Sequence, residues 1–172
     1  MIIWLNGTFG AGKTTTAGEL VQIVQNSTIF DSEEVGLMLR HVRGLPRVGD
    51  FQHWDPWRPL VVQTARHLLD YLGGVLVIPQ TVLIEKYWTE IHTGLRDAGI
   101  PVHHFLLHAD QDTLIDRIET DTVTGPSTWR MDHVPKYQES LPWMRREAYE
   151  IDTTAISPRR VAEIVAAKAT AA

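Results

Sequence analysis

The stretch Gly7–Thr14, which reads GTFGAGKT, follows the apolar run Met1–Leu5 (MIIWL) and opens an amphipathic segment. A Gly-x4-Gly-Lys-Thr pattern in this context is typical of a P-loop, the phosphate-binding turn between a strand and a helix. Its glycines let backbone N–H groups converge on a triphosphate, and the following helix points its positive end at the same charge. Lys13 would reach the β- and γ-phosphates, and the Thr14 hydroxyl would ligate Mg²⁺. The predicted nucleotide contacts are Gly7, Thr8, Phe9, Gly10, Ala11, Gly12, Lys13, Thr14 and Thr15.

The composition excludes several classes of protein. A formal net charge of −5 argues against a nucleic-acid-binding protein, which needs a basic face. The chain has no cysteine, which excludes disulfides, thiolate metal sites and thiol nucleophiles. No apolar run reaches the roughly 18 residues of a membrane span, and Met1–Leu5 lacks the basic leader of a secretory signal. We therefore expect a single domain over residues 1–172, located in the cytoplasm.

Short apolar runs alternate with longer amphipathic segments, which is typical of a parallel sheet with helices on both faces. Some runs are apolar throughout, as buried parallel strands are. The predicted strands are Ile2–Leu5, Ser27–Phe30, Val75–Ile78, Val102–Leu107 and Ala148–Ile151. The predicted helices are Gly12–Gln25, Ser32–Arg40, Pro56–Leu72, Glu85–Ala98, Gln111–Thr120, Met131–Ser140 and Pro158–Ala169. The fold class is α/β, a three-layer P-loop NTPase sandwich of about five parallel strands that is similar to nucleotide kinases.

Ligands of such a sheet collect beyond the carboxyl ends of its strands. Asp31 follows the second predicted strand and is a candidate general base for a substrate hydroxyl that attacks the γ-phosphate. It is equally a candidate N-cap, with Glu34 completing a capping-box-like pattern. Gln80 follows the third strand, where many P-loop NTPases carry a Walker-B aspartate. Because glutamine orients a substrate or a water but supplies no charge, an ATPase motor is disfavoured.

The segment between the second and third predicted strands has the composition of a pocket for a ring-bearing polar molecule. It offers aromatic walls and a few orienting polar groups. The alternative for its tryptophans is packing of the next helix against the sheet. The candidate substrate contacts are Asp31, Arg40, Phe51, Trp54, Trp57, Arg58 and Gln80.

Residues 121–131 are polar, contain Gly125-Pro126 and lie between helical patterns, as a mobile lid would. Phosphoryl transfer needs cations near the transferring group and exclusion of water. Arg117 at the base of this lid and Arg130 within it are therefore candidate catalytic residues, although Arg130 fits a solvated surface position equally well. We expect the adenine near Thr153 to Pro158, after the last strand.

The order of P-loop, aspartate, acceptor segment, arginine-bearing helix and lid resembles the nucleotide and small-molecule kinases. More closely, Met1–Thr14, Asp50-Phe51-Gln52, Trp57-Arg58 and Val102–Phe105 are similar to the tunicamycin-resistance protein family. The resemblance implies ATP binding and protection against tunicamycin, a uridine-containing nucleoside antibiotic with sugars and a fatty acyl chain. It also implies a likeness to antibiotic phosphotransferases such as the chloramphenicol kinase, in which an aspartate at the place of Asp31 is the base.

Two features depart from the pattern of these families. Kinases of this branch often place a second arginine four residues after the one matched by Arg117, and Asp121 stands there. Arg117 would then stack on adenine while Arg130 takes the phosphate. Members of the tunicamycin-resistance family can carry a longer, membrane-associating carboxyl tail, and we expect no such attachment here.

Together these residues predict an ATP- and Mg²⁺-dependent kinase that acts on a hydroxyl of tunicamycin or of a related nucleoside or amino-sugar compound. The predicted catalytic residues are Lys13, Asp31, Arg117 and Arg130. The alternative is a protein that sequesters the drug in an ATP-dependent way without phosphotransfer, which the missing Walker-B carboxylate also fits. A GTPase-type switch is disfavoured because no Asn-Lys-x-Asp signature follows a strand. Six tryptophans would permit an exposed apolar interface and hence a homodimer.

Overall fold

The computed structural model describes residues 1–170, which form a parallel sheet of five strands flanked by helices. The strands are β1 (Ile2–Asn6), β2 (Ser27–Ile29), β3 (Val75–Pro79), β4 (Val102–His108) and β5 (Tyr149–Asp152). Their order across the sheet is β2-β3-β1-β4-β5, and every neighbouring pair is parallel. The predicted α/β sandwich is confirmed.

Eight α-helices connect and cover these strands within the described part of the chain. The helices are α1 (Lys13–Ile23), α2 (Glu33–Arg40), α3 (Trp57–Leu72), α4 (Glu85–Asp97), α5 (Gln111–Glu119), α6 (Thr128–Met131), α7 (His133–Glu147) and α8 (Pro158–Thr170). A short 3₁₀ turn, Phe51–His53, precedes α3. Helices α1 and α8 pack together, and α4 packs against both α3 and α7. No helix in residues 1–170 is long and apolar enough to cross a membrane.

The main departure from the predicted elements lies in the lid segment, residues 121–131, and in the helix after it. A short helix, α6, forms inside the lid segment, and the next helix extends from His133 to Glu147 where the sequence pattern predicted Met131–Ser140. This helix continues through Pro142 because Tyr137, Leu141 and Met144 keep a buried face at helical spacing. Burial of that face outweighs the local cost of proline.

The candidate site forms at the carboxyl end of β1. Residues Ile2–Leu5 of this central strand are fully buried, and β3 and β4 pair on either side of it. The buried side chain of Asn6 then accepts hydrogen bonds from the N–H groups of Gly7 and Val82, both at 2.9 Å. The Thr81 hydroxyl donates to the Gly7 carbonyl at 2.8 Å. The start of the Gly-rich loop is thus tied to the segment that follows β3.

The second histidine of β4 belongs to the core. His104 is buried, stacks on Trp88 with ring centroids 3.8 Å apart, and lies 3.4 Å from the Asn6 amide nitrogen. Burial lowers the pKa of His104 to about 3, so its imidazole is neutral at ordinary pH. It contributes packing behind the Gly-rich loop.

Candidate functional site

The Gly-rich loop adopts backbone conformations that require glycine. Gly7, Gly10 and Gly12 have φ angles of +139°, +78° and +89°. A Cβ atom on Gly7 would clash with the Leu107 carbonyl oxygen, and one on Gly10 would lie 2.9 Å from that of Leu114. A Cβ on Gly12 would meet nothing within 4 Å, which leaves open space beside the N-terminus of α1. This space is suited to phosphate because backbone N–H groups and the helix dipole both face it.

Lys13 is the first residue of α1, and its side chain folds back over the loop. Its ammonium group donates to the Thr8 carbonyl at 2.8 Å and lies 5.5 Å from the centre of the Phe9 ring. Burial lowers the pKa of Lys13 to about 8, and the charge of Glu33 opposes this shift. In this structure the Thr8 carbonyl oxygen holds the ammonium group over the Gly-rich loop.

A cavity of about 940 Å³ lies in front of the loop, which we call the donor cavity. Its walls come from the loop, α5, the lid segment and the segment after β5. Gly7 and Thr8 are buried beneath it and do not line it. The predicted residues that do line it are Phe9, Gly10, Ala11, Gly12, Lys13, Thr14, Thr15, Arg117, Arg130, Thr153 and Pro158.

Arg117 bridges two walls of the donor cavity. Its guanidinium donates to the Gly10 carbonyl at 3.1 Å, on the Gly-rich loop. It also donates to the carbonyls of Thr153 and Thr154 at 2.8 and 3.4 Å, on the segment after β5. Arg117 thereby fixes that segment to the phosphate loop.

The lid segment carries an internal ion pair. Arg130 donates to the Asp121 carboxylate at 2.6 Å and also to the Gly125 carbonyl. Hydrogen bonds from the Thr124 hydroxyl and from Arg130 hold the pKa of Asp121 well below its usual range. In this conformation the guanidinium of Arg130 is paired with the Asp121 carboxylate.

A second cavity, of about 700 Å³, lies between α2, the 3₁₀ turn, α4 and α7, and we call it the acceptor cavity. Three of the predicted substrate contacts, Arg40, Phe51 and Gln80, line it. The Gln80 amide is engaged, since its oxygen accepts from the Ser32 hydroxyl at 2.7 Å and its nitrogen donates to the Thr81 carbonyl at 3.0 Å. Gln80 therefore belongs to the wall of the cavity.

The donor and acceptor cavities meet at three residues, Phe9, Glu33 and Trp129. The rings of Phe9 and Trp129 pack edge to face with centroids 5.1 Å apart, so the Gly-rich loop contacts α6. Trp129 is 45% exposed, whereas the other five tryptophans are buried. Glu33 is the carboxylate at the junction.

Glu33 was not among the candidates predicted from the sequence. Removal from solvent raises the pKa of its carboxyl group, repulsion by Asp31 raises it further, and Lys13 opposes the shift. Asp31 lines neither cavity, and its carboxylate accepts the backbone N–H of Glu33 at 2.9 Å. The stretch Asp31-Ser32-Glu33-Glu34 contains three carboxylates, and only the fold shows which of them points to both cavities.

Trp54, Trp57 and Arg58 lie outside the lining of both cavities. Trp54 donates to the Pro46 carbonyl at 2.8 Å, and Trp57 is fully buried and donates to the Ser32 carbonyl at 3.1 Å. Arg58 is buried against Asp55 and Glu90. The tryptophans follow the packing alternative, and Arg58 supports the cavity wall from behind.

Comparison with solved structures finds the tunicamycin resistance protein of Deinococcus radiodurans, at 30% sequence identity and a TM-score of 0.77. The match covers 98% of this chain and 95% of that chain. The chain belongs to the tunicamycin-resistance protein family. The resemblance inferred from the sequence is confirmed.

Two further solved structures share the fold of this tunicamycin-resistance family member. A sugar kinase from a Janibacter species is 14% identical with a TM-score of 0.67, over 96% of this chain and 92% of that one. Shikimate kinase from Acinetobacter baumannii, in complex with shikimate, is 19% identical with a TM-score of 0.65, over 99% and 93% of the chains. These structures show a kinase-like P-loop fold. Neither the protein-family models nor the curated proteins give a match to the sequence.

Proposed function

We propose that this member of the tunicamycin-resistance family is an ATP- and Mg²⁺-dependent kinase. Its acceptor would be a hydroxyl group of tunicamycin or of a related nucleoside or amino-sugar compound. The observation that carries the proposal is the junction of the donor and acceptor cavities at Phe9, Glu33 and Trp129. A phosphoryl group can pass between two ligands only where their sites touch, and a carboxylate stands at that point.

The donor side fits a nucleoside triphosphate. Gly10 and Gly12 line the cavity, a Cβ atom on Gly12 would meet nothing within 4 Å, and Lys13 supplies the positive charge that a γ-phosphate requires. The hydroxyl of Thr14 would hold Mg²⁺, which offsets the charge of the triphosphate when bound. No group of three His, Cys, Asp or Glu side chains within residues 1–170 could hold a metal ion. Magnesium in kinase sites is held by one or two side chains together with phosphates and water.

Glu33 is the group that we assign to the proton of the acceptor, in preference to Asp31. The acceptor oxygen forms a bond to the γ-phosphorus while the bond from that phosphorus to the β,γ-bridging oxygen breaks. The hydroxyl proton passes to the Glu33 carboxylate, and ADP leaves. The raised pKa of the Glu33 carboxyl group makes its carboxylate a stronger proton acceptor than an ordinary glutamate.

The test of the proposed function is mass analysis of tunicamycin after incubation with the protein and ATP-Mg²⁺. We expect a mass gain of one phosphoryl group on the drug and an equal amount of ADP. Unchanged drug that nevertheless binds tightly would instead favour ATP-dependent sequestration. This second candidate is favoured by the ion pair between Arg130 and Asp121, because an Arg130 paired in this way does not contact the phosphates of ATP.

The ion pair of the lid segment leads to a prediction about nucleotide affinity. We propose that Arg130 leaves Asp121 to reach the triphosphate as the lid closes. Asp121→Asn is expected to lower the Kd for ATP about fivefold, because breaking a partly exposed ion pair costs on the order of 1 kcal/mol. Isothermal titration with a non-hydrolysable ATP analogue measures this change.

Asp97→Asn is the matched control for this prediction. Asp97 pairs with Arg96 in an exposed position at the end of α4, before β4 begins. This change should leave the Kd for ATP as it is. Weaker ATP binding by Asp121→Asn would mean that Asp121 supports the nucleotide site and does not restrain Arg130.

A further inference from the structure

The wall of the acceptor cavity contains a polar aromatic pair that the proposed chemistry does not use. His53 lies in the 3₁₀ turn and Tyr87 lies on α4, and both line the cavity. The His53 Nδ1 atom and the Tyr87 hydroxyl are 2.9 Å apart, and the two rings lie with centroids 5.9 Å apart. Both side chains are reachable, since His53 is exposed and Tyr87 is half-buried.

Arg58 covers one face of the Tyr87 ring from behind. Its guanidinium carbon lies 4.3 Å from the ring centre, and the Arg58 side chain is only 4% exposed. Such a cation against an aromatic face is attractive and strongest where solvent is excluded. Because Arg58 occupies one face of the Tyr87 ring, the opposite face and the hydroxyl edge are the parts of Tyr87 that face the cavity.

Arg58 also fixes the turn that carries His53. It donates to the carbonyl of Gln52 at 2.7 Å, while the Gln52 amide donates to the Thr81 carbonyl at 2.9 Å. The guanidinium is itself held by Asp55 at 2.8 Å and by Glu90. A buried arginine with this many partners holds the groups around it in place, because each of its hydrogen bonds is charge-assisted. Arg58 thereby connects the turn that carries His53 to the ring of Tyr87.

We propose that the His53–Tyr87 pair is a subsite for a hydroxylated ring of the acceptor, with Arg58 as its positioning residue. This inference rests on the proposed function, because it assigns a part of the same acceptor cavity. A sugar ring presents an apolar C–H face and hydroxyl groups at its edge. The pair matches both, with an aromatic face beside a phenol oxygen and an imidazole nitrogen that donate and accept hydrogen bonds.

The test compares Tyr87→Phe with Tyr71→Phe. Tyr87→Phe removes one hydroxyl and keeps the ring, whereas Tyr71 is 88% exposed at the end of α3 and lines neither cavity. For Tyr87→Phe we expect KM for tunicamycin to rise about fivefold, as for the loss of one hydrogen bond, while kcat and KM for ATP stay unchanged. Tyr71→Phe should alter none of the three constants. An unchanged KM for tunicamycin in Tyr87→Phe overturns the subsite and leaves the kinase proposal intact.

Arg58→Lys tests the positioning role separately. Lysine keeps the charge but lacks the planar fork that reaches Gln52, Asp55 and Glu90 together. We expect the same rise in KM for tunicamycin with kcat unchanged, in a variant whose thermal unfolding is still cooperative. If Arg58→Lys does not fold, the Tyr87→Phe comparison alone decides the inference.

A last measurement separates this inference from the proposed function. If the wild-type protein neither binds nor phosphorylates tunicamycin, uridine and glucosamine are titrated while the imidazole signals of His53 are followed by NMR. Movement of these signals in the wild type but not in Tyr87→Phe supports a hydroxylated-ring subsite in a protein with another acceptor. Signals that stay in place with both compounds overturn the subsite as well.

Discussion

Glu33→Gln should lower kcat for phosphoryl transfer by at least about a hundredfold and leave the Kd for ATP almost unchanged. A positioned base contributes roughly a hundredfold or more to such a reaction, and glutamine cannot accept the proton. Glutamine retains the size of the side chain, so the junction of the two cavities keeps its shape. Steady-state kinetics with ADP release and titration of an ATP analogue measure the two quantities.

Asp31→Asn is the comparison that makes this result interpretable. Asp31 contributes a carboxylate oxygen to the backbone N–H of Glu33 at 2.9 Å, a bond that an asparagine oxygen can replace. We therefore expect a loss of less than about tenfold in kcat, from the lost charge alone. The reverse pattern, with normal turnover in Glu33→Gln and a large loss in Asp31→Asn, would return the base role to Asp31.

Lys13→Met should reduce kcat by about a hundredfold to a thousandfold, because it removes the cation nearest the expected γ-phosphate. Methionine keeps most of the unbranched length of the side chain and lacks the ammonium group that lies 5.5 Å from the centre of the Phe9 ring. Cooperative thermal unfolding of the variant would show that the fold survives. Retention of wild-type turnover would contradict the P-loop role of Lys13.

The lowered pKa of Lys13 adds a pH dependence to nucleotide binding. In the free protein the ammonium form dominates below a pKa of about 8 and is lost as the pH rises through it. Phosphate binds the charged form and raises that pKa, so affinity falls with rising pH. We expect the Kd for ATP to increase about tenfold between neutral pH and about pH 9. Lys13→Arg, which stays charged, should remove this dependence.

The donor cavity was largely predictable from the sequence because a local pattern encodes it. Gly7, Gly10 and Gly12 belong to the Gly-rich pattern and take positive φ angles in the structure, and Lys13 is the first residue of the next helix. The alternation of apolar runs with amphipathic segments likewise predicted the parallel sheet, whereas the strand order β2-β3-β1-β4-β5 comes from the structure. The roles of these residues in binding and catalysis stay predictions.

The acceptor side was less predictable because its composition does not reveal which way a side chain points. Trp57 and Phe51 lie six residues apart in one aromatic segment, yet Trp57 is fully buried while Phe51 lines the cavity. Glu33 lies on the first turn of α2, whereas Asp31 precedes the helix, and the sequence pattern alone does not show which of the two carboxylates lines the cavities. The pair of Asp121 and Arg130 depends on the path of the lid segment, which no helical or strand period encodes.

The hydrogen bonds that tie Gly7 to Asn6 and Thr81 have a consequence for how the proposed acceptor site could vary within this family. They attach the Gly-rich loop to the segment after β3, so under the proposed function a substitution in that part of the acceptor wall would also disturb nucleotide binding. None of these hydrogen bonds involves the exposed face of α2, which includes Leu37 and Arg40. New acceptor preferences should therefore arise by substitution on α2 while the nucleotide half stays constant.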